Sequence, residues 1–298
     1  MIMNPFLYSI PQIIQHLFKM ITIHQLSDLV SGTVVKRPSA SIKSPYVADV
    51  TYEDNTILGH CPSLGCCGLA DKDATVLMAP AKNPKSKCQY TVYLSSLYDE
   101  KKDKRVIVGI HPKLAEQIVE NCISKNHFTW LPNISNYTRE FVIKDKELDV
   151  DSRFDFHGYD NNNQEFIVEV KTVPLADYED IPKKERKGKN YDEIPFENKI
   201  AYFPDGYRKK ATDPVSPRAL KHVNELRVLK ETKNIRTILC FVIQRDDVSS
   251  FQPSIIDPIY RDAVYAAKNA GVEIYAVVCK WNKDGSCQLV NDNLHINW

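Results

Sequence analysis

The stretch that decides the fold reads SRFDF at residues 152–156, GYDNNN at 158–163 and FIVEVK at 166–171. Aromatic and β-branched residues on both sides of an asparagine-rich turn predict two antiparallel strands joined as a hairpin. Successive strand side chains point to opposite faces, so Glu169 and Lys171 share one face while the valines beside them enter the core. The turn folds the first strand back and brings Asp155 near Glu169.

This pair of carboxylates predicts a divalent-metal site for phosphodiester chemistry. Two hard oxygen ligands side by side suit Mg²⁺ or Mn²⁺, which keep several of their waters. A lysine one pleat away can orient a water and neutralise charge on a phosphate. Asp155 and Glu169 are therefore the predicted metal ligands, and Lys171 completes the predicted catalytic set. The Glu-x-Lys pattern alone is also typical of a solvated strand face, and that alternative stays open.

Length and composition set the outer limits of the interpretation. The chain has 298 residues and a formal net charge of +1, which allows one or two domains and argues neither for nor against nucleic acid. Its eight cysteines show no regular framework, so we expect a cytoplasmic or nuclear protein that is not secreted. His60-Cys61 and Cys66-Cys67 could form a metal cluster, but loop cysteines placed by chance are favoured.

The first 26 residues are interpreted as an N-terminal extension without an assigned function. They contain no apolar run of about 20 residues, so no membrane span is expected there. Early basic residues and a continuous apolar stretch, the marks of a signal peptide, are also missing.

Short strand-like runs separated by turn residues predict a small OB-like β-barrel over residues 27–100. The runs cover residues 29–35, 46–52, 56–60, 75–79 and 90–97. Lys36 and Arg37, with tyrosines nearby, suit contacts to a nucleic-acid backbone and its bases. These residues would equally serve as solubilising surface charges, and both readings stay open. The charged stretch 101–105 is interpreted as a linker.

The rest of the chain, residues 101–298, predicts a mixed-sheet domain with flanking helices. Pro112 opens an amphipathic helix, and Ser216 caps a second one that runs to residue 232. The apolar runs 235–243 and 272–279 read as buried strands, and the helix 257–270 between them makes the strands parallel. The fold class is therefore α/β, α+β overall, with a lysine-rich insertion near residues 174–215 that is either ordered or a mobile loop.

A basic region lies close to the carboxylates in the sequence. Residues 207–236 carry nine Lys or Arg against three Asp or Glu. An enzyme that acts on a polyanion needs basic residues that bind the polyanion and, next to them, acidic residues that bind a metal. A helix face that is merely solvated more often carries both positive and negative side chains. The candidate nucleic-acid contacts are Lys209, Lys210, Arg218 and Lys221. DNA is the predicted partner, an acidic protein is the remaining alternative, and the sequence predicts no oligomeric state.

Several motifs together resemble the sugar fermentation stimulation protein A (SfsA) family. That family has HCPNTG, SRIDF, EVKSV, FPD, RGxKHLxEL and a closing GVEI. Here the corresponding stretches are HCPSLG at 60–65, SRFDF at 152–156, EVKTV at 169–173, FPD at 203–205, RALKHVNEL at 218–226 and GVEI at 271–274. The similarity runs in order from about residue 29 to the C-terminus, and the set is far more specific than any one motif.

The resemblance implies an OB-like domain followed by a PD-(D/E)xK nuclease-like domain that binds DNA. Carried over, Asp155 and Glu169 are metal ligands and Lys171 is the catalytic lysine. His222 and Glu225, one helical turn apart, would face the site, and His222 joins the candidate nucleic-acid contacts. Lys221 and Arg218 would contact phosphates.

One departure from the family pattern separates two functional hypotheses. Members of the family carry an acidic residue in the first helix, where counting from Leu114 places Gln117; Glu116 and Glu120 are near but out of register. The first hypothesis is a Mg²⁺-dependent deoxyribonuclease. The second is a DNA-binding, regulatory protein whose nuclease-like site is idle.

Overall fold

The computed structural model describes residues 21–298 apart from 205, 207–209, 211 and 234. Most of the predicted N-terminal extension therefore lies outside the described residues, and so does Lys209. The part that is described, β1 (Ile21–Gln25), pairs antiparallel with β16 (Ser286–Asn291) at the edge of the larger sheet.

A six-stranded sheet forms the first half of the protein. Its strands are β2 (Val30–Lys36), β3 (Val47–Tyr52), β4 (Asn55–His60), β5 (Thr75–Pro80), β6 (Tyr90–Asp99) and β7 (Lys104–Gly109). Neighbours follow the order β4-β3-β2-β5-β6-β7, and β4 also pairs in parallel with β6. The first five strands therefore form a closed ring, and all five coincide with the strand-like runs of the sequence.

The charged stretch 101–105 lies at the connection between β6 and β7. These two strands pair antiparallel from Leu94↔Gly109 to Asp99↔Lys104, so the sheet continues beyond residue 100. Charge at this point reflects the exposure of a hairpin tip, which a sequence cannot distinguish from the exposure of a linker. The division into domains at residues 26 and 100 stays a prediction.

A seven-stranded mixed sheet forms the second half, in the order β1-β16-β15-β13-β10-β9-β8. The strands not yet given are β8 (Ile134–Asp145), β9 (Val150–Asp160), β10 (Glu165–Val173), β13 (Arg236–Ile243) and β15 (Glu273–Trp281). β9 and β10 form the predicted hairpin, and β10, β13 and β15 are mutually parallel. The predicted α+β class is thereby confirmed.

The insertion near residues 174–215 is ordered in its described part. It holds β11 (Ala176–Asp177), the short helix α2 (Lys183–Arg186) and β12 (Lys199–Phe203). β12 pairs with β11 and, in parallel, with β14 (Val248–Pro253), which gives a third, three-stranded sheet.

Three longer helices cover the mixed sheet: α1 (Lys113–Ser124), α3 (Pro217–Thr232) and α4 (Pro258–Asn269). The apolar face of α1 shares one core cluster with Val168 and Val170 of β10. The buried faces of α3 and α4 share another cluster with Ile167 of the same strand. Since strand side chains alternate, Glu169 and Lys171 lie on the face of β10 that α3 covers. The hydroxyl of Ser216 accepts a hydrogen bond from Ala219 N, as expected for the cap of α3.

Candidate functional site

Asp155 stands where the hairpin strands separate. β9 and β10 pair from Glu165↔Tyr159 to Val168↔Phe156, and the ladder ends there. Just beyond the last pair, Oδ2 of Asp155 accepts a hydrogen bond from Val170 N at 2.7 Å. A side-chain carboxylate thus replaces the main-chain acceptor that a continued ladder would supply, and it fixes Asp155 beside Glu169.

Glu169 is almost completely buried, with 3% of its surface exposed. Its Oε1 accepts from Nζ of Lys171 and is in hydrogen-bond contact with Nδ1 of His222. Its Oε2 is buried and has no hydrogen-bond partner among the described residues. Burial alone would raise the pKa of Glu169, but the charges and hydrogen bonds of Lys171 and His222 outweigh burial and lower it. The carboxylate is therefore held ionised, with one oxygen available to a further ligand.

The electrostatics of Asp155 differ from those of Glu169. Burial and the negative charge of Glu169 raise the pKa of Asp155 to about 7, with Glu116 adding to the rise and Lys171 opposing it. Two carboxylates that share a buried place repel each other, so one of them gains a proton unless a cation enters. This arrangement favours a positive ion at the pair.

Helix α3 supplies the remaining walls of the site. His222 and Glu225 are both buried, three residues apart, as the motif implies. Glu225 accepts from Asp151 N on β9 at 3.0 Å through Oε1, and its buried Oε2 lacks a partner within the described part of the chain. Lys221 contacts the carbonyl of Asp151. With 4% of its surface exposed, His222 is placed to position Glu169 rather than to reach nucleic acid.

The predicted basic contacts fall into two groups. Lys36, Lys210 and Arg218 are exposed, and about half of the Lys221 side chain is exposed as well. Arg37 is half-buried: its Nε donates to Pro45 O at 2.9 Å and its Nη2 to Ser63 O at 2.7 Å. Arg37 therefore holds two loop carbonyls, a role the sequence did not indicate. Lys209 lies outside the described residues.

Part of the positive charge of residues 207–236 is neutralised within the fold. Arg236 binds both carboxylate oxygens of Glu273 at 2.7 Å, and Lys233 reaches Asp145 at 3.0 Å. These two cations stabilise the mixed sheet and its edge. Apart from Lys233, the exposed basic residues in the described part of this region lie before α3 or in its first two turns: Lys210, Arg218 and Lys221.

Arg139 on β8 is a residue near the site that sequence reasoning missed. Its guanidinium binds Glu116 at 3.1 Å and Glu120 at 2.7 Å, both on α1. The spacing of Glu116 and Glu120 by one helical turn was the available signal, because residues i and i+4 share a helix face. The same spacing could not reveal which strand residue meets them.

Asp155 and Glu169 could offer two side-chain oxygen donors to a divalent cation. No group of three or more His, Cys, Asp or Glu within the described ranges is arranged to hold a metal. Asp155 and the unpartnered oxygen of Glu169 could hold one together with water, and Mg²⁺ commonly binds through one or two carboxylates and retains several waters. The donor set fits a hard cation of this kind. No helix in the described part of the chain is long and apolar enough to cross a membrane.

Comparisons with known proteins agree with the motifs. A family model described as the sugar fermentation stimulation protein RE domain matches residues 185–285. A sugar fermentation stimulation protein homolog from Alteromonas mediterranea is 30% identical over 258 residues, which cover 84% of this chain and 90% of the relative. A homolog of the same name from Pelagibacter ubique is 29% identical over 256 residues, covering 85% of this chain and 91% of the relative.

The solved structure of SfsA from Pyrococcus furiosus, described as a complex with Ca²⁺, matches with a TM-score of 0.70 and 20% sequence identity. The match covers 93% of this chain and 100% of the other. At this identity the likeness establishes a shared fold over most of the chain and nothing about the chemistry.

Proposed function

The chain belongs to the sugar fermentation stimulation protein family, and from that premise we propose that it binds DNA and hydrolyses phosphodiester bonds with a divalent cation. Asp155 and Glu169 hold the cation in this proposal, and Lys171 is the catalytic lysine. Mg²⁺ or Mn²⁺ is the proposed ion.

The observation that carries the proposal is the unpartnered Oε2 of Glu169 beside a second carboxylate. A buried acceptor without a partner costs about 1–3 kcal/mol, and more when it is charged. Apolar residues in place of the two carboxylates would avoid this cost. A buried carboxylate oxygen that is left without a partner is therefore typical of a site that a ligand completes. The Ca²⁺ complex of the P. furiosus protein supports the same kind of ligand, since Ca²⁺ and Mg²⁺ both take oxygen donors.

A bound divalent cation would supply Lewis-acid polarisation of the phosphate and a water of lowered pKa. The residues of the chain do the rest. His222 and Lys171 hold Oε1 of Glu169 from two sides, so the carboxylate cannot rotate without losing both contacts. The side chain of Lys171 is 11% exposed, and its ammonium supplies positive charge next to the scissile phosphate and a proton donor that orients water.

Docking of the polyanion is assigned to the exposed basic residues near the start of α3. Helix α3 contributes His222 to the site. Positive charge lies near the N-terminal end of this helix, on Lys210, Arg218 and Lys221. Contacts of this kind release counterions from DNA, so binding should weaken steeply as salt rises.

The test is a cleavage and binding assay on plasmid and single-stranded DNA with Mg²⁺ or Mn²⁺. Glu169→Gln and Lys171→Ala should each abolish cleavage while DNA affinity is retained. Glu165→Gln, at the opposite end of β10, is the matched control and should cleave normally. Cleavage that persists in both site variants would place the chemistry elsewhere.

A second candidate function is DNA binding with an idle nuclease-like site. The observation that favours it is Arg139, which holds both acidic residues of α1, Glu116 and Glu120, in salt bridges. Intact DNA with the wild-type protein, combined with a salt-sensitive gel shift shared by Glu169→Gln, would select this function over hydrolysis.

A further inference from the structure

Two cysteine thiols meet beneath the loop that follows β4. Cys61 comes directly after the strand, and Cys66 lies in the 3₁₀ turn Gly65–Gly68. The two side chains are hydrogen-bonded to each other, and 0% and 2% of their residue surfaces are exposed. In its protonated form Cys66 also donates from Sγ to Ser63 O at 3.2 Å. The thiols are therefore in contact and shielded from bulk solvent.

The backbone of this turn is unusual and accounts for the contact. Cys66 and Cys67 have φ values of 41° and 54°, so two consecutive residues with a Cβ occupy the left-handed region. Such conformations cost about 1 kcal/mol or more each and persist only where the surroundings hold them. In this turn the two left-handed residues point in different directions: Cys66 is buried with Cys61, whereas Cys67 is exposed.

An arginine completes the group. The two hydrogen bonds of Arg37 to loop carbonyls fix its guanidinium beside Cys66, and its third nitrogen, Nη1, is buried without a partner among the described residues. The hydrogen bond from Cys61 and the charge of Arg37 outweigh burial and lower the pKa of Cys66 to about 7. The same hydrogen bond and burial raise the pKa of Cys61. One sulfur is thus prepared to be a thiolate and the other to keep its proton.

Although only 2% of its residue surface is exposed, Cys66 borders space that a small molecule can occupy. It lines a cavity of about 630 Å³ together with Leu64 and Cys67 from the same loop and Thr172, Phe203 and Val215 from the second half of the protein. A hydroperoxide is far smaller than this cavity. Access and thiolate character together are what select a cysteine for oxidation.

We propose that Cys66 is a peroxide-reactive thiolate and that Cys61 is its resolving thiol. The Cys66 sulfur attacks one oxygen of a hydroperoxide, the O–O bond breaks, and Cys66 becomes a sulfenic acid while hydroxide or alkoxide leaves with the electron pair. Cys61 then attacks the Cys66 sulfur, the S–O bond breaks, and the departing hydroxide leaves as water with the Cys61 proton. The product is a Cys61–Cys66 disulfide, which excess thiol reduces again.

The site is separate from the phosphodiester chemistry in its residues and its readout. Neither cysteine touches Asp155, Glu169 or Lys171 in any contact described above. Oxidation of the pair can therefore be measured on protein that carries Glu169→Gln, and the result does not depend on whether the chain cleaves DNA.

The experiment is limited oxidation of the full chain with hydrogen peroxide at neutral pH, alkylation of the remaining thiols, and peptide mass spectrometry. Cys61, Cys66 and Cys67 lie on one tryptic peptide between Lys43 and Lys72. Loss of two hydrogens from that peptide, reversed by dithiothreitol, is the expected result. In Cys67→Ser the only pair left on the peptide is Cys61 and Cys66, and the yield of disulfide should be unchanged.

Cys61→Ser provides the second arm, because it removes the resolving thiol. A dimedone adduct should then accumulate on Cys66, at least tenfold above the adduct in the wild type. Oxidation of Cys67 ahead of Cys66, or a wild-type protein that forms no disulfide on this peptide, would overturn the proposal. The disulfide yield is measured on the wild type and on Cys67→Ser, and the dimedone adduct on Cys61→Ser. The proposal can therefore be tested even if one of the variants folds poorly.

Discussion

Replacement of Asp155 by asparagine should stabilise the cation-free protein at alkaline pH. The amide oxygen of asparagine can still accept the hydrogen bond from Val170 N, so the separated end of the hairpin keeps its geometry. The change removes only the charge that burial and Glu169 make unfavourable. These two causes raise the pKa of Asp155 from its usual 3.8 to about 7.

The sign and the size follow from proton linkage. Between pH 3.8 and about 7, the folded protein retains a proton on Asp155 that the unfolded chain has released, so stability falls as pH rises through this window. Above about pH 7 the loss is complete and amounts to about 4 kcal/mol, at 1.36 kcal/mol for each pH unit between the two values. At pH 5 the loss is about 2 kcal/mol by the same relation.

The assay is urea unfolding followed by tryptophan fluorescence, at pH 5 and pH 8, in the presence of EDTA. Asp155→Asn should gain more over the wild type at pH 8 than at pH 5, by about 2–3 kcal/mol. Asp151→Asn, an exposed aspartate on the same strand, is the control and should remain within about 0.5 kcal/mol of the wild type at both pH values.

Added Mg²⁺ or Ca²⁺ should then stabilise the wild type and leave Asp155→Asn nearly unchanged, because a ligand that binds only the folded state raises its stability. A difference between variant and wild type that is the same at pH 5 and pH 8 would refute the electrostatic reasoning. An equal response of both proteins to the cation would refute the assignment of Asp155 as a ligand.

Three further changes test other parts of the molecule. Lys221→Ala should weaken DNA binding and reduce the slope of log affinity against log salt by about one, and a slope unchanged in gel shifts at several salt concentrations would exclude a phosphate contact. Arg236→Gln breaks the paired hydrogen bonds to Glu273 and should destabilise the protein by about 1–3 kcal/mol in urea unfolding at neutral pH. That loss should shrink at low pH, where protonation removes the Glu273 charge whose pKa this contact helps to lower, and a loss that stays constant would count against the ion pair. Gly109→Ala would drive a Cβ into the Gln244 side chain where the two large sheets meet, so the thermal midpoint should fall by an amount equivalent to about 1–3 kcal/mol, and an unchanged midpoint would contradict that close approach.

Most regular elements could be predicted because their signals are local. Ser216 before Pro217 carries the cap and first turn of α3 within adjacent residues. The apolar runs that became β13 and β15 are continuous because helices cover both faces of the mixed sheet, and the helix between them requires a parallel pairing. In each case a few neighbouring residues contain the whole physical cause.

Elements that depend on a distant partner could not be predicted in this way. β1 exists because its edge meets β16, more than 250 residues away, and its own residues give only a weak strand pattern. The three-stranded sheet forms because β12, inside a lysine-rich stretch, pairs with β14 across α3 and β13. Composition describes such a stretch as polar, but pairing decides whether it is ordered.

The features of the candidate site also differ in whether they depend on local sequence or on distant contacts. Alternation on β10 placed Glu169 and Lys171 on one face, since that rule needs only the strand itself. The separation of β9 from β10 at Asp155 and the unpartnered oxygen of Glu169 are tertiary features, and the burial of His222 accompanies the packing of α3 against the hairpin, where His222 meets Glu169 and Glu225 meets Asp151. No local pattern contains that packing, so the sequence could name candidate residues but could not predict their burial or their hydrogen bonds.

Helix α1 lacks an acidic residue at the position expected from the family motif, but it has one at the neighbouring position. Gln117 occupies the position where relatives are expected to carry an acid, yet the carboxylate whose charge acts on Asp155 is that of Glu116, one residue earlier. Arg139 binds both Glu116 and Glu120, which lie one turn apart on the same side of the helix. A catalytic role for α1 therefore depends on whether Glu116 exchanges its bond to Arg139 for a contact at the carboxylate pair. In the proposed nuclease, Arg139 would compete for the carboxylate that a third cation ligand needs.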